Sequence, residues 1–565
     1  LSNALRTATL AAEFDMADNI FDFLEGTPAR GGASAPWAAR SPRRPHARYD
    51  LKLFPRSPTW EQDPATVSAL ERIEQEPWVA SVARDPSGIE IRLDDAWVET
   101  VGAGLEAGGS AEASLSDLAH GQRYSVQFWD ANATKALHVG HLRNLAIGNA
   151  VASALAQAGG QVERRSLISD AGRSMGEAMA GVRHAHSWPD GDEKSDHFVG
   201  ICYADYVAAT AIPAAGDDGE FPEDSQTREL TLRGDDADDL LRQVLLGDRE
   251  TVELWYKTRA WVIAGQRKTL ARLGVAFDRV FFESDFLADA AELSANGLRD
   301  GTLQRREDGV VVYPSGIDGF EEFPLVRPDG VTTQHMRALA YWMAAPGLGT
   351  MTSMQVCGEE WVAHVTCRRK LMDELTPPGN GGIHPTYDIF NAMVARQKRA
   401  IASSEGALLI DDLIEWLDER IDEVPAWRAL RLGHPAPERI ASQVALGYFL
   451  PYPVARPIDF EPEHLLRETD SVGWDLVRAR AHRGAIKTDT TRPADDPEYR
   501  FAVVQSELYR QHLRLAVERL DVTQLALYLK HLARWHLERD RGEHVERVVH
   551  TLLDRSARGL GLEAT

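Results

Sequence analysis

The stretch that most restricts this chain is a short strand pattern, Tyr124 to Trp129, a tight turn, and an Ala/Leu-rich helical pattern from Leu142 to about Ala158. The turn reads Asp130-Ala131-Asn132-Ala133-Thr134-Lys135-Ala136-Leu137-His138-Val139-Gly140-His141, with Leu142-Arg143 opening the helix. Strand, glycine-bearing turn and helix is the geometry in which a helix N-terminus receives an anion. His-x-Gly-His adds chemistry to it. Two imidazoles one turn apart can donate hydrogen bonds to a phosphate whose charge grows during displacement. Gly140 lets a flat base or ribose lie against the backbone, and Lys135 brings a mobile positive charge to the outer phosphates. Two histidines around a glycine, taken alone, are more often a surface turn or a satisfied core pair.

The rest of the chain bounds the answer. With 565 residues, 44% hydrophobic and 26% charged, it has the length for several domains and the composition of a globular protein. No run of about 18 apolar residues suggests a membrane span, and the first residues lack the basic-then-apolar pattern of a secretion signal. Its three cysteines, Cys202, Cys357 and Cys367, show no metal-type spacing and read as reduced thiols. We therefore expect a cytoplasmic protein with no membrane partner and no protein-bound metal. A net charge of −24 argues against a general nucleic-acid binder, although a local basic face on an acidic body remains open. Arg478, Arg480, Arg483 and Lys487 are one candidate patch and equally an ordinary solvated helix face.

Strands that alternate with helices after Tyr124 predict a parallel, doubly wound sheet with ligands beyond the strand C-termini. The second strand is Val162 to Ile168, running into Asp170. A segment at 183–250 interrupts the pattern with two acidic runs, Gly216 to Glu220 and Gly234 to Asp239, both expected to be solvated loops. Helix Thr251 to Leu273 carries Leu254, Trp255, Thr258, Trp261, Val262 and Gly265 at spacings that build one buried stripe. Ahead of the core, a helical stretch Ala4 to Leu24 and a Pro/Gly/Arg-rich linker give way to a small α/β module between Asp63 and about Gly109. From about Pro435 the pattern is mostly helical, with Leu525, Tyr528, Leu529, Leu532 and Trp535 at bundle spacing.

Asn132-x-x-Lys135-x-x-His138-Val139-Gly140-His141-Leu142-Arg143 resembles the first signature of class I aminoacyl-tRNA synthetases, and within them the arginyl-tRNA synthetases. Gly148-Asn149-Ala150, Ser169-Asp170-Ala171-Gly172-Arg173, Gly274 to Asp278 with Glu283-Ser284, and Leu408 to Leu413 are similar to further passages of that family. The resemblance covers about 70 to 565. It implies a Rossmann-like catalytic core at 121–434, after an N-terminal appended region and small α/β domain at 1–120, and an all-α anticodon-binding-like bundle at 435–565. It also implies an activity: ATP-dependent formation of an aminoacyl-adenylate, with Mg²⁺ on the ATP, then acyl transfer to a tRNA or another acceptor.

The resemblance assigns Lys135, His138 and His141 to catalysis. ATP contacts fall to Gly140, Arg143, Gly358, Glu360, Ile401 and Ser403, and amino-acid contacts to Gln127, Asn132, Gln334, Ala338 and Trp361. Two departures matter. The second-signature loop, Lys398-Arg399-Ala400-Ile401-Ala402-Ser403-Ser404-Glu405-Gly406, lacks its lysine and first serine, and in the family a lysine at the place of Lys135 is thought to compensate. The guanidinium pocket has Gln127, Gln334 and Ala338 where the family has an acid, a Tyr and an Asp. A buried guanidinium without a carboxylate loses on the order of several kcal/mol. We therefore expect a divergent paralogue that activates an amino acid other than arginine. The alternatives are an ordinary arginine–tRNA ligase with a divergent pocket and a non-catalytic tRNA-binding or regulatory relative.

Overall fold

The computed structural model describes residues 20–25, 37–46, 48–55, 59–85, 88–107, 115–185, 194–210, 236–376, 386–391, 394–396, 399–400, 408–424, 427, 439–482, 492–538 and 540–563. The predicted helical stretch before residue 20 and the first acidic run lie outside them. No described helix is long and apolar enough to cross a membrane.

The N-terminal domain is a four-stranded antiparallel sheet built from β1 (Trp37–Arg40), β2 (Leu51–Pro55), β3 (Val79–Asp85) and β4 (Gly88–Leu93), in the order β1-β2-β4-β3. Ile89, Ile91 and Leu93 on β4 are fully buried and alternate with Glu90 and Arg92, the period-two pattern of a sheet with one covered face. The region expected to be linker supplies β1 and β2. Buried Trp37, Leu51 and Leu53 give those strands an apolar face, which outweighs the Pro and Gly punctuation around them. Arg500, from the C-terminal helices, locks this domain in place. Its guanidinium donates to both carboxylate oxygens of Asp50 at 2.9 and 2.7 Å and to Asp95 at 2.6 Å.

The core is a five-stranded sheet of β5 (Arg123–Gln127), β6 (Gln161–Ile168), β7 (Arg279–Phe282), β11 (Thr352–Gly358) and β12 (Thr386–Asn391). Its order is β12-β11-β5-β6-β7, and every pair is parallel. In chain sequence this is the doubly wound order 3-2-1-4-5, whose direction of winding reverses between β5 and β11. Side chains from the C-terminal ends of those two strands meet at the switch point, where such folds bind ligands. The Val139–Gln157 helix returns the chain from β5 to β6. It approaches the sheet closely at Gly148, where a Cβ would stand 2.2 Å from the Phe128 ring.

Between β7 and β11 the chain forms a small antiparallel sheet of β8 (Gln304–Arg305), β9 (Val311–Ile317) and β10 (Phe320–Val326). The second acidic run departs from expectation. It opens a helix, Asp236–Leu245, and its Asp238 is only 6% exposed because it pairs with Arg173 and, at 3.1 Å, with Arg327. Two guanidiniums repay its desolvation, which a reading of charge runs as solvated loop does not foresee.

Helices Ile440–Phe449, Val472–Ala481, Pro497–Arg519, Thr523–Leu537 and Glu543–Gly559 make the C-terminal bundle. Leu525, Leu529 and Leu532 are buried as their spacing predicts. The bundle is tied to the core helix: Asn149 donates to the Gly561 carbonyl at 3.0 Å and Gln157 to that of Arg555 at 3.1 Å. The fold is thus a Rossmann-like parallel-sheet core between a small α/β domain and an all-α bundle.

Candidate active site

The Val139–Gln157 helix begins at His138, whose extended backbone makes it the N-cap. Its Nδ1 accepts the Gly140 amide at 3.1 Å, while His141 Nδ1 accepts the His138 amide at 3.2 Å. This is a reciprocal capping arrangement in which imidazoles replace the usual hydroxyl and carboxylate. Burial drives the His138 pKa down to about 4, assisted by Lys135, and holds His141 well below its ordinary value. Both rings are therefore neutral at physiological pH. Since each Nδ1 accepts a backbone hydrogen, the network assigns the ring proton to Nε2. Each histidine is left with one N–H donor, oriented by the backbone, and the ring centres stand 4.0 Å apart. Gly140 is needed beside them, because a Cβ there would come within 2.9 Å of the His138 ring. Burial also lowers Lys135, to about 8, so it remains mostly charged at neutral pH.

The turn is held from outside by Gln266 of the Arg249–Leu273 helix, which donates to the carbonyls of Asn132 (3.2 Å) and Lys135 (2.8 Å). Gln266 is fixed in turn by the Trp129 indole at 3.2 Å. The chain after the second signature is anchored to the first. Val139 N donates to the Leu408 carbonyl at 3.0 Å, and Ile410 N to that of Leu137 at 2.9 Å. The segment that enters the second-signature loop, Val394–Arg396, pairs with Arg399–Ala400 and with Ile458–Asp459. Lys398, Ile401 and Ser403 lie outside the described residues.

A cleft of about 570 Å³ opens at this switch point. The structure brings Lys135, His138, Gly140, His141, Asn132, Gln127, Gln334, Ala338, Gly358, Glu360 and Trp361 to its wall. Arg143 is not among them. It is buried, and its guanidinium donates to the carbonyls of Pro453 and Val454 at 3.2 and 3.1 Å, so it joins the core helix to the C-terminal region. In the candidate RNA patch, Arg478 pairs with Glu468 and Arg480 with Asp554, while Arg483 and Lys487 lie outside the described residues.

At the other end of the cleft the polar groups come from several elements. Asp130 Oδ2 accepts the side-chain amides of Gln127 and Gln355, both at 2.7 Å, and its Oδ1 accepts the Leu167 amide at 3.2 Å. Burial raises the Asp130 carboxyl, and these hydrogen bonds oppose the rise. Arg368, on the Val362–Leu375 helix, donates to Gln355 Oε1 at 2.6 Å and lies over the Trp342 ring at 5.5 Å. Gln127, Asp130, Gln355 and Arg368 thus form one chain of hydrogen bonds through Gln355. Next to it, Glu283 is paired at 2.7 Å with Arg337, both essentially fully buried. His335 stacks on His364 with ring centres 4.7 Å apart, and Trp361 lies 5.3 Å from His364. Burial keeps His335 far below its ordinary pKa and therefore neutral.

Sequence reasoning assigns no site role to Asp130, Gln355, Arg368, Glu283 or Gln266, although Asp130 and Glu283 stand in the passages that carry the resemblance. Asp130 had a signal, an acidic residue at the end of the first strand. Arg368 had none, since Arg368-Arg369-Lys370 reads as a solvated helix face.

Residues 110–197 match the family model described as tRNA synthetases class I (R), catalytic domain. Curated relatives include the arginine–tRNA ligase of Amoebophilus asiaticus, 29% identical over 58% of this chain, and that of Borrelia turicatae, 26% identical over 64%. The chain spans 56% and 60% of their lengths. Among solved structures, Thermus thermophilus arginyl-tRNA synthetase matches with a TM-score of 0.67 at 19% identity, covering 96% of this chain and 98% of that one. The Plasmodium falciparum arginyl-tRNA synthetase matches at 0.66 and 12%, covering 96% and 97%. The chain is thus similar to class I tRNA synthetases in sequence over residues 110–197 and has the fold of the arginyl-tRNA synthetases.

Proposed function

We propose that the chain activates an amino acid with ATP and transfers the acyl group to a tRNA or another hydroxyl acceptor. The observation that carries this reading is the pair of neutral imidazoles at a helix start, each with a single Nε2–H donor, beside an ammonium group in one cleft. Attack by the amino-acid carboxylate forms an oxygen–phosphorus bond at the α-phosphate. The bond to the β-phosphate oxygen breaks, and pyrophosphate leaves with its electron pair. Charge builds on the α-phosphate oxygens as this happens, and donors that need no reorganisation lower the barrier. His138 and His141 are assigned that role. Lys135 is assigned to the outer phosphates, whose charge Mg²⁺ also offsets. In the second step the acceptor hydroxyl attacks the acyl carbon and AMP departs.

The amino-acid end supports a specificity altered from arginine. Gln127, Gln334 and Ala338 contribute no charge, and the chain's own guanidinium, Arg368, is hydrogen-bonded to the Gln355 that holds Asp130. A cationic side chain entering here meets a carboxylate already engaged and a like charge nearby. A neutral polar side chain meets amides that can pair with it. One observation favours ordinary arginine specificity instead: Asp130 is a carboxylate on the cleft wall, in reach of a substrate if Gln127 or Gln355 releases it.

ATP–pyrophosphate exchange across an amino-acid panel, with and without total tRNA, separates these readings. Exchange with a neutral polar amino acid in preference to arginine is the expected result. Exchange with arginine alone assigns Asp130 to its guanidinium and ends the altered-specificity reading. Absence of exchange together with absence of ATP binding ends the activation mechanism.

A further inference from the structure

The C-terminal bundle contains a cluster that the activation chemistry does not use. His536 lies near the end of the Thr523–Leu537 helix, and Glu546 and His550 stand one turn apart on the Glu543–Gly559 helix. His482 directly follows the Val472–Ala481 helix. His536 is fully buried, yet neither ring nitrogen has a hydrogen-bond partner among the described residues. Glu546 Oε1 and His482 Nε2 are buried without one as well. Buried polar atoms left unsatisfied on neighbouring side chains are an arrangement that folding alone penalises.

The spacing fits a bound ion better than a hydrogen-bonded network. His536 Nε2 and His550 Nε2 stand 3.5 and 3.6 Å from the same oxygen, Glu546 Oε2. Those distances are long for hydrogen bonds. Two donors each about 2.0–2.1 Å from a tetrahedral ion are separated by about 3.3–3.4 Å. Two imidazoles on such an ion have ring centres about 5 Å apart. The observed ring separations are 5.2 Å for His482–His536 and 5.4 Å for His536–His550. One ligand atom from each of His536, Glu546 and His550 lies within 4.8 Å of the others.

Two charged groups also face the cluster. Arg541 stacks on Trp535 and pairs with Glu498 at 3.0 Å, and Asp540 lies 3.8 Å from His482.

We propose that His536, Glu546 and His550, with His482 as fourth donor, bind one divalent transition-metal ion of the zinc class and so staple three helices of the C-terminal bundle. Imidazole and carboxylate donors suit zinc and its neighbours in the first transition row, while calcium and magnesium prefer all-oxygen sites. A closed set of four protein ligands marks a structural role.

The test uses the full chain without a histidine tag, stripped with a chelator and titrated with Co²⁺, then with Zn²⁺ in competition. One equivalent is expected to bind, with the visible absorption of four-coordinate Co²⁺, and Zn²⁺ is expected to raise the unfolding temperature. His550 is 36% exposed, so His550→Ala should fold and lose more than about tenfold in affinity. Glu546→Gln should behave alike and serves as the second variant. Asp196, His197 and Asp411 form another cluster of possible ligands, already joined to the Lys194 ammonium, so His197→Ala should leave binding unchanged. Binding of less than about a tenth of an equivalent, undiminished affinity in both His550→Ala and Glu546→Gln, or loss of binding in His197→Ala would each overturn the proposal.

Discussion

The two ends of the cleft are built on different plans. At the end proposed for the phosphates, Lys135, His138 and His141 lie within seven consecutive residues, and the backbone of one helix start orients both rings. At the end proposed for the amino acid, Gln127 closes β5 and Asp130 follows it, Gln355 sits on β11, and Arg368, Ala338 and Glu283 come from three further segments. The first is short-range and its geometry is a consequence of capping. The second exists only after the sheet has formed and the helices have docked. A site of the first kind survives divergence elsewhere in the chain, while one of the second kind can be retuned by changing single side chains.

This contrast can be broken at several points. The largest effect is expected where the amino-acid end rests on a buried ion pair. Glu283→Ala strands the Arg337 guanidinium and should cost about 3–5 kcal/mol of stability, read from the denaturant midpoint. A loss under about 1 kcal/mol would mean that this end does not depend on long-range pairing. At the phosphate end, His141→Ala removes one donor and should lower the exchange rate about 10²–10³-fold. Its cost in stability should stay near that of a lost cap, about 1–2 kcal/mol. An unchanged rate would remove the imidazoles from the mechanism.

Arg368→Leu should shift selectivity among amino acids by about tenfold or more towards cationic side chains, since it removes the like charge and frees Gln355. The same preference in parent and variant would detach Arg368 from specificity. The smallest effect is a pH dependence. Burial lowers Lys135 to about 8, so its ammonium is charged below that pH and lost above it. The kcat/KM for ATP should fall several-fold as the pH rises from about 7 to about 9, and Lys135→Gln should abolish that limb. A falling limb that persists in the variant would assign the titration to another group.

The helix start was legible because helix capping and turn chemistry act over four or five residues, so His138, Gly140 and His141 announce their own geometry. The three departures at Gln127, Gln334 and Ala338 were visible as well, and all three side chains line the cleft. Their compensation was not. Asp130 gains its meaning from Gln355, 225 positions away, and Arg368 from its place against both. Arg143 misled in the opposite direction: a cation next to a nucleotide signature, it satisfies backbone carbonyls about 310 residues further on. Asp238 and the strands at Trp37 and Leu51 were misread for a related reason, since charge runs and Pro/Gly punctuation are local signs overruled by pairing and burial.

The sequence by itself determined the strand–helix alternation of the core, the helix start with its two imidazoles, and the helical character of the last third, because these follow from short-range propensity, capping and periodicity. Only the tertiary structure decided which side chains share the far end of the cleft, that a guanidinium of the chain's own lies there, and that ligand atoms of His536, Glu546 and His550 come within 4.8 Å of one another. Those outcomes depend on which distant groups are brought out of water together. That choice is made by the packing of the whole chain, which leaves no mark at any single position.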